Sequence, residues 1–227
     1  METKRIICLA NSRKRGEHCV AGIELLKNGH LGDWIRPVGS GWEHALTTIE
    51  QSYSDNTSPQ VLDVLDVHLV KQKPEGCQTE NWSVDSTRRW VKQGTVDQTD
   101  LVAAIQAPST LFLNAGSTSA GLNDQIPTAQ ADTVAGSLLL IHAPEVELYV
   151  FNHFGKTKCQ ARFVYNGVNY WIGVTDPVIE SEFRTGGQKS YNLGPCLLSV
   201  SLSAPLVKDI DNVSYRFKLI AAIIRLT

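Results

Sequence analysis

The chain has 227 residues, of which 42% are hydrophobic, and its 21 basic and 23 acidic residues give a formal net charge of −2. The hydrophobic content excludes a mainly disordered chain. The near-neutral charge argues against a general binder of duplex nucleic acid. The length suits one large domain or two small ones. No apolar run reaches the roughly 18 residues of a membrane-spanning helix, and polar residues rather than a cleavage site follow the N-terminal segment, so we expect a cytoplasmic protein with no membrane partner.

Short β-rich runs, set off by Gly, Pro, Asn and Asp, occur along the whole chain and predict a mostly β fold. The dipeptide Asn166-Gly167 lies between two alternating segments and is typical of a type I′ hairpin turn. In chain order the predicted strands are 5–10, 19–25, 33–38, 61–70, 111–113, 137–142, 147–152, 159–165, 168–174, 196–202 and 215–225.

Helices are predicted to be few and short. The segment 85–94 begins with an acidic N-cap residue and ends at a glycine, which is a helix start and stop signal. Two further candidates are 43–53 and 97–106.

The organisation of the chain indicates two units. The segment 117–136 is rich in Ala, Gly, Ser, Thr and Asp and has no period, which predicts a long loop or a linker. We place a boundary near 95–135 and expect a first unit of residues 1–100 that ends in a short helix. The second unit, 101–227, is expected to begin with a loop or linker at about 107–136.

The first candidate site is the polar segment between the first two predicted strands. It contains Asn11, Ser12, Arg13 and Lys14, whose amide, hydroxyl, guanidinium and ammonium groups suit phosphate oxygens. The alternative is a solvated, charged turn that keeps a hairpin soluble, and sequence position does not separate the two interpretations.

The second candidate site is the pair Trp34 and Arg36. Residues i and i+2 of a strand share a face, so the indole could stack on a nucleobase while the guanidinium contacts the same ligand. The alternative places Trp34 in the core and pairs Arg36 with an acid such as Asp63 or Asp66. Two other tryptophans, Trp82 and Trp90, are interpreted as core residues.

The third candidate site is the Asn166-Gly167 hairpin, one face of which could present aromatic rings beside a guanidinium. Its aromatic and cationic residues are Arg162, Tyr165, Tyr170 and Trp171. We expect Tyr170 to point outward, because the apolar residues beside it need the inner face; these are Phe163, Val168 and Ile172.

Sequence signatures of catalysis are absent. The chain lacks the common nucleotide-binding, metal-binding and acyl-transfer motifs, so we expect no catalytic residue, no metal and no cofactor. His18 and Cys19 are adjacent on a predicted strand and would point to opposite faces. The spacing of His142, His153 and Cys159 is too irregular to predict a metal site. Five widely spread cysteines favour reduced thiols over disulfides.

Taken together, six segments resemble the dual OB-containing domain family, which is associated with prokaryotic conflict and antiphage gene sets. The resemblance implies two OB-like β-barrels with a few short helices, and a role in sensing or binding nucleic acid or a nucleotide, with no enzyme site. Asp33 and Asn56 replace an expected small residue and an expected glycine, which implies a more acidic surface on the first barrel. The segments, which span nearly the whole chain, are 7–14, 19–22, 34–38, 59–64, 80–82 and 218–224.

The leading hypothesis is therefore a non-catalytic sensor that binds single-stranded nucleic acid or a nucleotide-like ligand, with another protein of a defence system as a further partner. OB barrels bind such strands through aromatic stacking and a basic track. One alternative is a protein-interaction scaffold, favoured by the near-zero net charge. A third is an enzyme acting on a small nucleotide. The predicted ligand-binding residues are Asn11, Ser12, Arg13, Lys14, Trp34, Arg36, Arg162 and Tyr170.

Overall fold

The computed structural model describes residues 1–14, 16–153, 155–184 and 187–226, with the exception of the Lys14 side chain. The chain divides into two compact units, Met1–Ala104 and Ile105–Thr227. As predicted, the fold is mostly β, with 52% strand and 10% helix. All five cysteines are free thiols. Within the described residues, no helix has the length and apolar character needed to cross a bilayer.

The first unit is built from one six-stranded sheet. Its pairings run β1-β2-β3-β5-β4 and return from β4 to β1, so they close into a ring, with β6 alongside β4. β3 and β5 are parallel neighbours. The strands are β1 (Glu2–Lys14), β2 (Glu17–Leu25), β3 (Leu31–Val38), β4 (Asp63–Gln72), β5 (Asn81–Val84) and β6 (Val91–Thr95).

The core of the first unit lies inside this ring. Trp90 is fully buried and Trp82 packs against the same cluster, so both are core residues, as interpreted from the sequence. A buried indole contributes a large apolar area to such a core. The other large members of the cluster are Ile6, Val20, Ile35, Leu46, Tyr53, Leu65, Val67 and Leu69.

The described residues of the second unit form nine strands and two short helices. The pairing order is β12-β9-β10-β11-β15-β13-β8, and β7 and β14 pair with β15. The elements are β7 (Gln125–Pro127), α1 (Thr128–Ala131), β8 (Leu138–Ala143), β9 (Val146–His153), β10 (Lys156–Tyr165), β11 (Val168–Val174), α2 (Pro177–Phe183), β12 (Lys189–Asn192), β13 (Cys196–Leu202), β14 (Leu206–Lys208) and β15 (Val213–Arg225).

The two units share one strand order. Only Pro144 and Glu145 separate β8 from β9, so these two strands act as one bent strand that pairs with β13 at one end and with β10 at the other. With β8 and β9 counted as one strand, the pairings of the second unit close into a ring, β8/β9-β10-β11-β15-β13-β8. This strand order is the same as that of the ring in the first unit. β11 and β15 are parallel, as β3 and β5 are. The repeated order gives two OB-like units without a visible sequence repeat.

The hairpin prediction is confirmed. Asn166 and Gly167 have φ values of 47° and 76°, and the flanking residues pair in register from Gln160 with Gly173 to Tyr165 with Val168. Positive φ at both central residues is the mark of a type I′ turn.

The predicted helix at 85–94 is wrong. The Asp85 side chain accepts a hydrogen bond from the Thr87 N–H and forms a local turn instead of capping a helix, and the chain then enters β6. The predicted helices at 43–53 and 97–106 are reduced to short 3-10 helices, Trp42–His44 and Gln98–Ala104. The predicted strand at 111–113 does not form. The elements that the sequence patterns did not reveal are β5, β6, β7, β12, β14, α1 and α2, and both β7 and α1 lie in the segment predicted to be a loop or linker.

Candidate nucleic-acid interface

Asn11 and Ser12, which belong to the predicted site near the β1–β2 turn, form hydrogen bonds within the protein. The Asn11 Nδ2 donates to the Pro59 carbonyl at 2.7 Å, and its Oδ1 lies 3.2 Å from the His18 Nδ1. Ser12 is buried and its hydroxyl donates to the Cys19 carbonyl. Arg13 is exposed, while the Lys14 side chain lies outside the described part of the chain. Asn11 and Ser12 therefore stabilise the turn.

Arg36 does not point into solvent as a ligand contact. It is 4% exposed, and its Nη2 lies 3.0 Å from the Oε1 of Glu80, which is equally buried. The structure thus corrects the predicted role of Arg36: it forms a buried ion pair, and the acid is Glu80 rather than Asp63 or Asp66. A buried charge needs such a partner because desolvation is costly.

Trp34 and Arg13 do not meet at one surface. Trp34 is half-buried and pairs with Ile23, whereas Arg13 pairs with His18 near the opposite end of β2. The two β2 partners, His18 and Ile23, are five residues apart, which corresponds to roughly 16 Å along β2. The predicted convergence of Arg13 with this indole is therefore absent.

The predicted outward position of Tyr170 is wrong. Tyr170 is 0% exposed, pairs in register with Phe163, and stacks on its ring at 5.7 Å between centroids. Its hydroxyl donates to the Asn114 Oδ1 at 2.9 Å. Val168, Tyr170 and Ile172 alternate along one strand and therefore share the inner face.

Because Tyr170 faces inward, its neighbour Trp171 faces outward and is 41% exposed. It belongs to a surface formed by alternating residues of three adjacent strands, which we call the outer face. The outer face consists of Glu147, Tyr149, Phe151 and His153 on β9, Lys156, Lys158, Gln160, Arg162 and Val164 on β10, and Asn169, Trp171 and Gly173 on β11.

A row of rings follows β9 on the outer face. The Tyr149 and Phe151 rings stack with centroids 5.4 Å apart and an interplanar angle of 16°. The His153 ring meets Phe151 edge-on at 6.5 Å. The Gln188 side chain donates to the Tyr149 hydroxyl at 2.6 Å and fixes the start of the row. Flat side chains in sequence along a strand are the stacking platforms that single-stranded nucleic acid uses.

Arg162 lies between two rings of the outer face. Its Cζ is 3.9 Å from the centroid of the Tyr149 ring and 4.7 Å from that of Trp171. Its Nε donates to the Gln160 Oε1 at 3.1 Å, and no other described side chain or carbonyl accepts a hydrogen bond from this guanidinium. The terminal nitrogens are thus oriented by the rings and available to an external acceptor.

A segment that precedes β7 positions the Trp171 side of the outer face. Leu122 and Trp171 exchange two backbone hydrogen bonds of 3.1 Å, and the Asn123 side chain donates to the Asn169 carbonyl. The Gln160 Nε2 donates to the carbonyl of Ala120, which covers Gln160 and holds its Oε1 toward Arg162. The segment therefore pairs with the edge of β11 and fixes the backbone of Trp171 through two hydrogen bonds.

Charge is unevenly distributed over the outer face. Lys156 and Lys158 are exposed beside the His153 and Phe151 end of the ring row. Around Arg162, an open groove of about 390 Å³ is lined by Pro144, Glu145, Glu147, Arg162, Phe163, Val164, Asn169 and Trp171. The lysine end suits phosphates, while the groove combines one guanidinium with two carboxylates.

The sequence interpretation selected Arg162 but missed Tyr149, Phe151 and His153. A signal for them was present, because Val146, Leu148 and Val150 alternate with these rings along β9, most of which was predicted as the strand 147–152. Alternation puts the apolar set inside and the aromatic set outside. What no pattern shows is that Tyr149 and Trp171 flank the same arginine.

The first unit also contains a groove, of about 510 Å³, next to a buried carboxylate. Asp63 accepts hydrogen bonds from the Tyr53 hydroxyl at 2.8 Å and the Gln60 N–H at 2.9 Å, and its Oδ1 lies 2.5 Å from the Lys92 Nζ. Burial, with this hydrogen bond, raises the pKa of Tyr53. Asp63 therefore joins three segments of the unit. No group of three or more His, Cys, Asp or Glu side chains in the described residues is arranged to hold a metal ion.

Comparison with known proteins adds one result. The family model described as a dual OB-containing domain matches residues 4–223. No curated protein and no solved structure matches the sequence significantly.

Proposed function

Because the chain belongs to the dual OB-containing domain family, we propose that it is a binding module for single-stranded nucleic acid or a nucleotide-like ligand, which it holds on the outer face. The observation that carries this proposal is Arg162, held between the Tyr149 and Trp171 rings with its terminal nitrogens directed to no described acceptor. Bases stack on Trp171 and on the β9 rings, and Lys156 and Lys158 contact phosphates. The association of the family with prokaryotic conflict gene sets supports a sensor role in a defence system.

The test is a fluorescence anisotropy titration with labelled single-stranded oligonucleotides of DNA and of RNA. We expect Trp171→Ala and Arg162→Ala to weaken binding by roughly 5- to 100-fold each, since stacking contributes about 1–3 kcal/mol per base. Trp42→Ala is the matched control, because this tryptophan is 62% exposed in the first unit and lies outside the outer face. Equal losses in the control and the test variants would contradict the assignment.

The salt dependence of the affinity tests separately whether Lys156 and Lys158 contact phosphates. Release of counterions makes the logarithm of the affinity fall with the logarithm of the salt concentration, with a slope that follows the number of phosphate contacts. The double variant Lys156→Ala, Lys158→Ala should reduce this slope by about 1–2. Affinity that does not change with salt would refute the phosphate contacts.

A different observation favours the scaffold alternative. The β14–β15 hairpin exposes four apolar side chains, and Ile210 at its tip is 91% exposed. Exposed apolar clusters mark protein contacts. Under that alternative, a partner protein binds the Arg162→Ala variant as well as it binds the unmodified chain, and no oligonucleotide binds either. The apolar residues are Leu206, Val207, Ile210 and Val213.

A further inference from the structure

The groove around Arg162 has the wrong charge for a phosphate. Glu145 and Glu147 line it together with Arg162, so its side-chain charges sum to one negative charge. A phosphate would be repelled there, whereas a neutral planar group that offers both hydrogen-bond donors and acceptors would satisfy both signs. A nucleobase edge is such a group.

Each of the two carboxylates of the groove accepts a hydrogen bond from a β12 side chain through one of its oxygens. The Ser190 hydroxyl donates to the Oε1 of Glu147, and the Asn192 Nδ2 donates to the Oε1 of Glu145 at 3.2 Å. Within the described residues, the Oε2 atoms of both glutamates accept no hydrogen bond. The groove thus presents oriented acceptors on its β9 side.

The donor of the groove is Arg162, which is the register partner of Glu147 on the adjacent strand. Gln160 holds the Nε of Arg162, which leaves the terminal nitrogens as the donating end. The indole of Trp171, in register with Arg162 across β10 and β11, supplies a flat surface. A bound base therefore stacks on an indole, donates to a carboxylate and accepts from a guanidinium.

Guanine matches this arrangement best among the common bases. It alone carries two adjacent donors on one edge, the ring N1–H and the N2 amino group, which together suit one carboxylate. Its O6 and N7 acceptors suit a guanidinium. Adenine, cytosine and uracil each offer a carboxylate only one donor group.

We propose that this groove binds guanine specifically, either as a base in a single strand or as a free guanine nucleotide. The inference rests on the proposed function for the outer face and adds base specificity to it. Phosphates of a bound strand lie toward Lys158, which is four residues from Arg162 on β10 and therefore roughly 13 Å away.

The test compares thymidine oligonucleotides that carry one central guanine, adenine, cytosine or hypoxanthine. Hypoxanthine lacks only the N2 amino group of guanine, so it isolates the donor pair. We expect the guanine strand to bind roughly 5- to 100-fold more tightly than the hypoxanthine strand. Glu147→Gln should remove most of the difference in affinity between the guanine and hypoxanthine strands, and Ser190→Ala should reduce this difference less. Glu75→Gln, in the first unit, is the matched control.

The outcomes separate the two proposals. If strands bind but guanine and hypoxanthine are equivalent, the guanine inference is overturned and the proposed function stands. If guanosine monophosphate binds, Glu147→Gln weakens its binding and no strand binds, then guanine recognition stands and the proposal of strand binding is overturned. Absence of binding by every strand and by the mononucleotide overturns both.

Discussion

Tyr170 and Trp171 are adjacent in sequence and are both aromatic, yet one is fully buried and the other reaches solvent. The alternation of the strand decides this, because Tyr170 shares a face with Val168 and Ile172. The Tyr170 hydroxyl donates a hydrogen bond to the side chain of Asn114, which offsets the cost of burying a phenol. Arg36 is a second example: its guanidinium can be buried because it forms an ion pair with Glu80, which is distant in sequence.

Lys218 gives a prediction at this scale. Its Nζ donates to the Asn114 Oδ1 at 3.0 Å and lies 5.0 Å from the Tyr170 ring, and the side chain is buried. Burial lowers the pKa of Lys218 to about 7, although the charge of Asp124 acts in the opposite direction. An unfolded lysine has a pKa of about 10.4.

Between these two pKa values the unfolded chain binds one proton more than the folded chain, so the contribution of Lys218 to stability rises with pH and is lowest below pH 7. The slope is at most about 1.4 kcal/mol per pH unit. We expect chemical denaturation between pH 6 and 8.5 to show this rise, and Lys218→Met to flatten it. Lys158→Met, at an exposed position, should keep the wild-type slope, and a flat wild-type curve would contradict the prediction.

At the scale of elements, strands β9, β10 and β11 determine the candidate site. Each contributes alternate side chains to the outer face, and the tight Asn166-Gly167 turn fixes the register that puts Arg162 opposite Trp171. A slip of one residue would turn the indole to the core. The backbone exchange between Leu122 and Trp171 protects the β11 edge.

Gly167→Ala tests this element. Gly167 has a φ of +76°, which is unfavourable for a residue with a Cβ, while a Cβ there would meet no atom within 4 Å. We expect a loss of about 1–2 kcal/mol in the free energy of unfolding, measured by urea denaturation. Gly173→Ala is the control, because it also has open space but no positive φ, and it should cost nothing. Equal effects of the two variants would show that the turn geometry is unimportant.

At the scale of the whole molecule, the chain uses one strand order twice. Each unit closes its ring through a parallel pair, β3–β5 or β11–β15, and each has its own core cluster. A separate core is what allows a unit of about 100 residues to fold by itself. All residues of the outer face lie in the second unit.

It follows that residues 105–227 alone should fold and bind the oligonucleotide with an affinity within about threefold of the full chain, a difference of less than 1 kcal/mol. The measurements are a cooperative denaturation curve and the anisotropy titration. Residues 1–104 serve as the matched fragment and should not bind. Loss of binding by a folded second fragment would assign part of the site to the first unit.

The amino-acid sequence by itself determined the mostly β class, the positions of the longer strands and the Asn166-Gly167 turn, because period-two alternation and positive-φ dipeptides are local properties. It also identified Arg162. Only the tertiary structure decided which partner Arg36 takes and that Arg13 and Trp34 lie apart. It alone brought Tyr149, Arg162 and Trp171 together, because contacts across neighbouring strands depend on the register and order of the sheet, which no local pattern contains.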